Sequence, residues 1–317
     1  MKSGLVFVFT HIDFEDDLPV EIIPGHFFRR ASTNESSFIR ELLSRSAYPV
    51  LNRGLAYEHI VKEERRENGA SFHRELLPPE KWKYWVIAFN GSNFQIRDLE
   101  YAAQLIEHDL DFGFELFFND ENQEGEWAGN SYLPMHLVER YNSPEEANLN
   151  AVKVSSFELN QLANNYDKIK SLPKRFSFID HSIKNFFEIK KLPKRSDLRV
   201  VGYFSIIEAL ITHDPRLNES LDSIGHQVRN KIVLLKKKFS RQISEDTYFL
   251  HAKVDKIWQQ LYSYRSCVAH GNIPDFKTKF QILKDRENVN RFLKEIIKEL
   301  LVLAFNEPEF FEDLKNC

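Results

Sequence analysis

The sequence predicts an α+β chain, with a mixed α/β domain over residues 1–150 and an all-α domain over residues 151–317. Three observations carry that expectation. The first half holds short aromatic and β-branched runs closed by turn residues. The second half repeats apolar residues at intervals of three and four. Charge divides at the same place. Residues 1–150 carry 14 Lys and Arg against 26 Asp and Glu, and residues 151–317 carry 29 against 21, for net charges of −12 and +8. A division of this size suggests two domains with different partners; the alternative is that the two charged surfaces simply attract each other. The basic one suits a polyanion, and the acidic one suits a sensor or partner-binding domain.

The elements follow in order. Leu5–Thr10 is β-branched and aromatic and predicts a strand. Residues 36–48 predict a helix. Tyr84–Phe89 is apolar and stops at Asn90-Gly91-Ser92-Asn93, which marks a buried strand and its turn. Between Ile96 and Leu110, apolar Leu99, Ala102, Ala103, Leu105 and Ile106 follow the helical period. Phe112–Phe118 alternates, then meets Asn119-Asp120-Glu121-Asn122, a strand and turn again. The stretch 141–156, opened by Asn142-Ser143-Pro144, reads as the boundary.

Six helices are predicted beyond it. The first covers 157–171 before Pro173, and the second 176–190 before Pro193. The third runs from Leu198 to His213 on a stripe of Val201, Phe204, Ile207, Leu210 and Ile211, and ends at Asp214-Pro215. The fourth spans 219–238 and closes on Lys236, Lys237 and Lys238, favourable at the negative end of a helix dipole. The fifth spans 246–269 with Val254, Ile257, Trp258, Leu261 and Tyr264 as its apolar stripe; Gly271 offers its cap. The sixth spans 286–305. Amphipathic helices on short connections predict a bundle.

Composition excludes several classes. Twenty-seven Phe and 42% hydrophobic residues rule out a disordered chain. The longest apolar runs fall far short of the roughly 20 residues of a membrane helix. Asp13, Glu15, Asp16 and Asp17 follow the first apolar run and do not suit a signal peptide. Cys267 and Cys317 make no disulfide framework. A cytoplasmic protein without a membrane partner is expected. Gly-rich phosphate loops, Cys-x-x-Cys and His-Glu-x-x-His are absent, so no cofactor and no metal is expected.

One constellation remains. Arg265 and His270 are separated by four residues in Arg265-Ser266-Cys267-Val268-Ala269-His270-Gly271. Cleaving an RNA phosphodiester needs a proton carrier of near-neutral pKa and a fixed cation on the phosphate. His supplies the first; Arg supplies the second, through a planar fork that matches phosphate oxygens. The 2′-OH is the internal nucleophile, so the chemistry requires no metal. Similar spacings occur at Arg53/His59 and Arg175/His181. Only Arg265/His270 closes a long amphipathic helix in the basic half, with small residues before His and Gly after it. Positions five apart on a helix diverge by about 140°. A site shared between two copies of the chain relaxes that demand. A His at a helix C-terminus also suits the dipole without any catalytic role. Clustered cations at Lys194, Arg195, Lys236, Lys237 and Lys238 are the candidate RNA-binding residues, and solvated helix ends are their alternative reading.

The stretch Leu261–Gly271 resembles the signature helix of HEPN domains, above all the ApeA-like group of bacterial defence proteins. Gly202–Leu210 is similar to that family's aromatic-rich helix ending in Glu-Ala-Leu. The resemblance covers about residues 155–310. It implies an all-α bundle, usually dimeric, and a metal-independent endoribonuclease leaving 2′,3′-cyclic phosphate. Arg265 and His270 become the catalytic pair, with Ser266 and Glu208 auxiliary; many members carry Asn, Asp or His where Ser266 stands. The expected function is then a toxin or antiphage effector that meets RNA as a homodimer, with a protein or ligand trigger at the N-terminal domain. The alternative is a non-catalytic HEPN protein binding RNA, nucleotide or a partner protein; a helical scaffold is the third.

Overall fold

Antiparallel strands dominate the first part of the computed structural model, and helices make up the second. The structure describes residues 3–45, 58–66, 69–90, 96–118, 127–130, 151–214 and 223–316. The chain divides into two units, Met1–Asn164 and Asn165–Cys317. The sequence boundary at residue 150 thus lies before a helix, and the division falls within that helix.

In the first unit the strands are β1 (Ser3–Val8), β2 (Ile12–Asp13), β3 (Val20–Ile23), β4 (His26–Arg30), β5 (His59–Arg66), β6 (Gly69–Leu76), β7 (Trp85–Asn90), β8 (Phe112–Phe118), β9 (Trp127–Asn130) and β10 (Val152–Lys153). Six form an antiparallel sheet in the order β3-β4-β7-β1-β8-β9. β5 and β6 pair with each other, and β10 pairs parallel to β2. The uninterrupted apolar run of β1 has a simple cause: both faces are covered. Leu5 and Phe7 join Val86, Leu116 and the helix residues Ile39 and Leu43. Val6 and Val8 lie opposite Ile87 and Trp85 on the other face, where Phe28 stacks on Trp85 at 5.0 Å.

Helix α1 (Thr33–Arg45) opens on a reciprocal cap. Ser32 N–H donates to Glu35 Oε2 at 2.7 Å, and Glu35 N–H to Ser32 Oγ at 3.3 Å. Helix α2 (Ile96–Ala103) is shorter than its sequence period. The Gln104 amide folds back onto Leu110 O at 3.1 Å, yet Leu105 and Ile106 remain buried. Their period followed burial rather than helix.

The described part of the second unit is helical. It continues from α3 (Ser156–Ser171) through α4 (Ser177–Lys190), α5 (Leu198–Ile211), α6 (Ile224–Leu235), α7 (Glu245–Tyr248), α8 (Val254–Ala269), α9 (Arg286–Asn306) and α10 (Pro308–Asn316). α5 is the central element, packed by α4, α6, α8, α9 and α10. It buries Val200, Tyr203, Phe204, Ile206, Ile207, Leu210 and Ile211, an apolar face about 160° wide around its axis. The single helix expected over 246–269 is two elements. Leu250 N–H leaves the helix to donate to Ile282 O at 3.0 Å, which separates α7 from α8. No helix among the described residues is long and apolar enough to cross a membrane.

Candidate active site

The last turn of α8 sets the position of His270. Gly271 adopts φ +73°, a left-handed conformation that favours glycine. Its N–H donates to Val268 O at 2.9 Å, and Asn272 N–H donates to Cys267 O at 3.0 Å. This is the Schellman arrangement, which satisfies carbonyls that the helix end leaves open. His270 is therefore the last residue before a fixed stop. It is exposed, and among the described residues its ring has no hydrogen-bond or ion-pair partner.

The chain beyond the stop is anchored too. Phe276 and Phe280 pack on the ring of Tyr264, with centroids 5.1 and 5.6 Å away. Tyr264 Oη donates to Asp197 Oδ1 at 2.5 Å, and Arg286 donates to both oxygens of the same carboxylate. Asp197 thus joins the starts of α5 and α9 to the middle of α8. Burial and the neighbouring Asp197 push the Tyr264 phenol far above its ordinary value, so it remains a donor.

Arg265 is held from the other side. Its Nη2 donates to Glu208 Oε2 on α5 at 3.1 Å, with side chains 26% and 16% exposed. The guanidinium lies 5.7 Å from the ring centroid of Tyr262, which meets Phe204 edge-on at 5.7 Å. Tyr262 comes this close to α6 because Gly225 has no Cβ; one would stand 2.8 Å from the ring. The Arg–Glu contact is single rather than forked. Arg265 Nε and Glu208 Oε1 are buried without partners. Burial raises the Glu208 carboxyl above its ordinary value, and Arg265 pulls it part of the way back.

The structure thus brings Arg265, Glu208 and Tyr262 together. It does not bring His270 to them on one chain: Arg265 leans into the bundle and His270 stands at the exposed helix end. Ser266 is half-buried one turn before His270. The other two Arg/His spacings are different. Arg175 pairs with Glu309 at 2.8 Å and lies 4.4 Å over the Phe176 ring, while His181 is exposed on α4. Arg53 lies outside the described residues, so its pairing with His59 of β5 is not described.

The basic run is only partly available as a cationic surface. Lys236 pairs with buried Glu245 at 2.5 Å. Lys238 pairs with Glu307 and lies 4.5 Å from the Phe310 ring centroid. Lys237, Lys194 and Arg195 are exposed. The backbone carbonyls of Lys194 and Arg195 accept from Asn290 and Arg286. Among the described residues, no three His, Cys, Asp or Glu side chains gather as a metal-ligand set. Sequence reasoning missed Tyr262, Asp197 and Arg229. The usable signal was a polar stripe on α8 at helical spacing: Gln259, Ser263, Ser266 and His270.

Comparison of the chain with protein-family models, curated proteins and solved structures finds no match.

Proposed function

We propose that the helical unit is a metal-independent endoribonuclease of HEPN type, acting in the cytoplasm as a toxin or antiphage effector. One observation carries the reading: a half-buried Arg265, oriented from a second helix by Glu208, on the same capped helix end that presents an exposed His270. A fixed cation and an accessible imidazole are the groups that RNA transesterification needs.

In this mechanism the 2′-oxygen attacks the adjacent phosphorus and loses its proton. The bond from phosphorus to the 5′-oxygen breaks, and that oxygen gains a proton. His270 carries the proton at one of these two steps. Arg265 N–H groups not committed to Glu208 hold the phosphate oxygens as charge develops. The products are a 2′,3′-cyclic phosphate and a 5′-hydroxyl. Because Arg265 and His270 diverge on one helix, the complete site belongs to a homodimer with the two α8 ends face to face. Ile273, two residues past Gly271 and 92% exposed, suits such an interface. The acidic N-terminal unit would receive the protein or ligand trigger.

A second reading is a non-catalytic HEPN protein that binds RNA, nucleotide or a partner protein. The Arg265–Glu208 pair favours it, since the cation already has a carboxylate beside it. Incubating the purified chain with total RNA in EDTA separates the two. Cleavage supports the enzyme; a gel shift with intact RNA supports the binder.

A further inference from the structure

Beside the Arg265 cluster, α6 and α8 enclose a cleft of about 260 Å³ lined by Ser223, His226, Arg229, Gln259, Tyr262 and Ser263. Ile224 and Gly225 complete the lining, and its polar groups are hydroxyls, the Gln259 amide, the His226 imidazole and the Arg229 guanidinium. Those are the groups that bind sugar hydroxyls and phosphate oxygens of a nucleic-acid backbone, and they carry no base readout.

The cleft is continuous with the polar stripe of α8. Gln259, Ser263, Ser266 and His270 succeed one another at steps of four, three and four residues, which returns each to one face of the helix. At 1.5 Å rise per residue, Ser263 lies about 10 Å from His270 along the axis. Tyr262 borders the same face, and the Arg265 guanidinium lies 5.7 Å from its ring centroid.

Arg229 is the cation of the cleft. Its side chain is 24% exposed and its Nε lies 2.9 Å from Asp255 Oδ1, a carboxylate that is 73% exposed. The geometry of that contact leaves the buried Nε without a hydrogen bond. An ion pair to so exposed an acid holds Arg229 only weakly, so a phosphate can replace Asp255 there.

We infer that this cleft is a backbone subsite for single-stranded RNA, holding a sugar–phosphate unit distant from the scissile bond and aligning the strand along α8 toward His270. Arg229 takes the phosphate. Gln259, Ser223 and Ser263 take the sugar hydroxyls. The inference rests on the ribonuclease reading and deepens it, because it fixes the path of the substrate.

The test uses the full chain carrying His270→Ala, so that RNA is bound without being consumed, and a fluorescent single-stranded oligoribonucleotide. Inorganic phosphate and a free 5′-mononucleotide are separate competitors. Arg229→Ala is expected to weaken RNA binding about tenfold and to reduce the slope of log affinity against log salt by about one. Arg229→Lys should restore the slope, which also shows that substitution at this position leaves the fold intact. Ser263→Leu fills the cleft and should weaken binding without changing the slope. Competition by RNA at concentrations where phosphate and mononucleotide do not compete identifies a strand rather than a small anion. RNA binding insensitive to both Arg229→Ala and Ser263→Leu overturns the subsite even where the parent chain cleaves. Equal competition by inorganic phosphate or mononucleotide overturns the RNA assignment. Binding that responds as expected, from a parent chain that never cleaves, supports the subsite and counts against the nuclease.

Discussion

His270→Ala removes an exposed ring at a helix end, so the bundle keeps its packing while the proposed proton carrier is lost. RNA cleavage should fall about 10²–10⁴-fold with an unchanged melting temperature; gel-resolved cleavage rates and a thermal melt check both. Arg265→Lys keeps the charge but not the planar fork, and cleavage should fall with it. His181→Ala should leave the rate near that of the parent, because His181 sits on α4 beside an Arg175 already paired with Glu309. At this scale the sequence was informative about chemistry and silent about partners. The residue types of Arg265 and His270 and the stop at Gly271 were legible. The Glu208 contact was not, since it joins residues 57 positions apart and depends on how α5 meets α8.

Elements carry two further predictions. In α1, burial acts to raise the Glu35 carboxyl, but the Arg29 fork at 2.7 and 2.8 Å and the Ser32 N–H outweigh it and hold the group below its ordinary value. A depressed carboxylate adds stability above its unfolded pKa and loses it as pH falls through the folded one. Glu35→Gln should therefore cost about 2 kcal/mol near neutrality, with the difference from the parent shrinking in acid; denaturant melts at the two pH values measure it. At α8, a Cβ on Gly271 meets nothing within 4 Å, so Gly271→Ala pays only for its left-handed backbone. That cost is about 1 kcal/mol, and cleavage should fall further than stability because His270 shifts with the cap. Helices were the legible elements: α3, α4, α5 and α9 lie within two residues of their apolar periods. The β5–β6 pair was not, because His-Ile-Val-Lys-Glu-Glu-Arg-Arg has almost no apolar alternation. Its one sequence signal was Asn68-Gly69.

At the scale of the molecule, the charge division gives the helical unit its expected partner. Phosphate contacts should make RNA affinity fall steeply with salt, and a titration between low and physiological salt checks it. The −12 and +8 halves were plain in the sequence. The fate of individual cations was not, since Lys236 and Lys238 find acids on α7 and just beyond α9. The proposed homodimer is checked by light scattering at micromolar concentration, which should report twice the chain mass. The central claim is nonetheless chemical, and one comparison addresses it: the parent chain and His270→Ala, each incubated with the same RNA in EDTA, with product ends analysed. The account predicts cleavage by the parent to 2′,3′-cyclic phosphate ends and near-complete loss in the variant. Equal cleavage by the two proteins, or none by the parent in EDTA where it cleaves in the presence of metal, would contradict it.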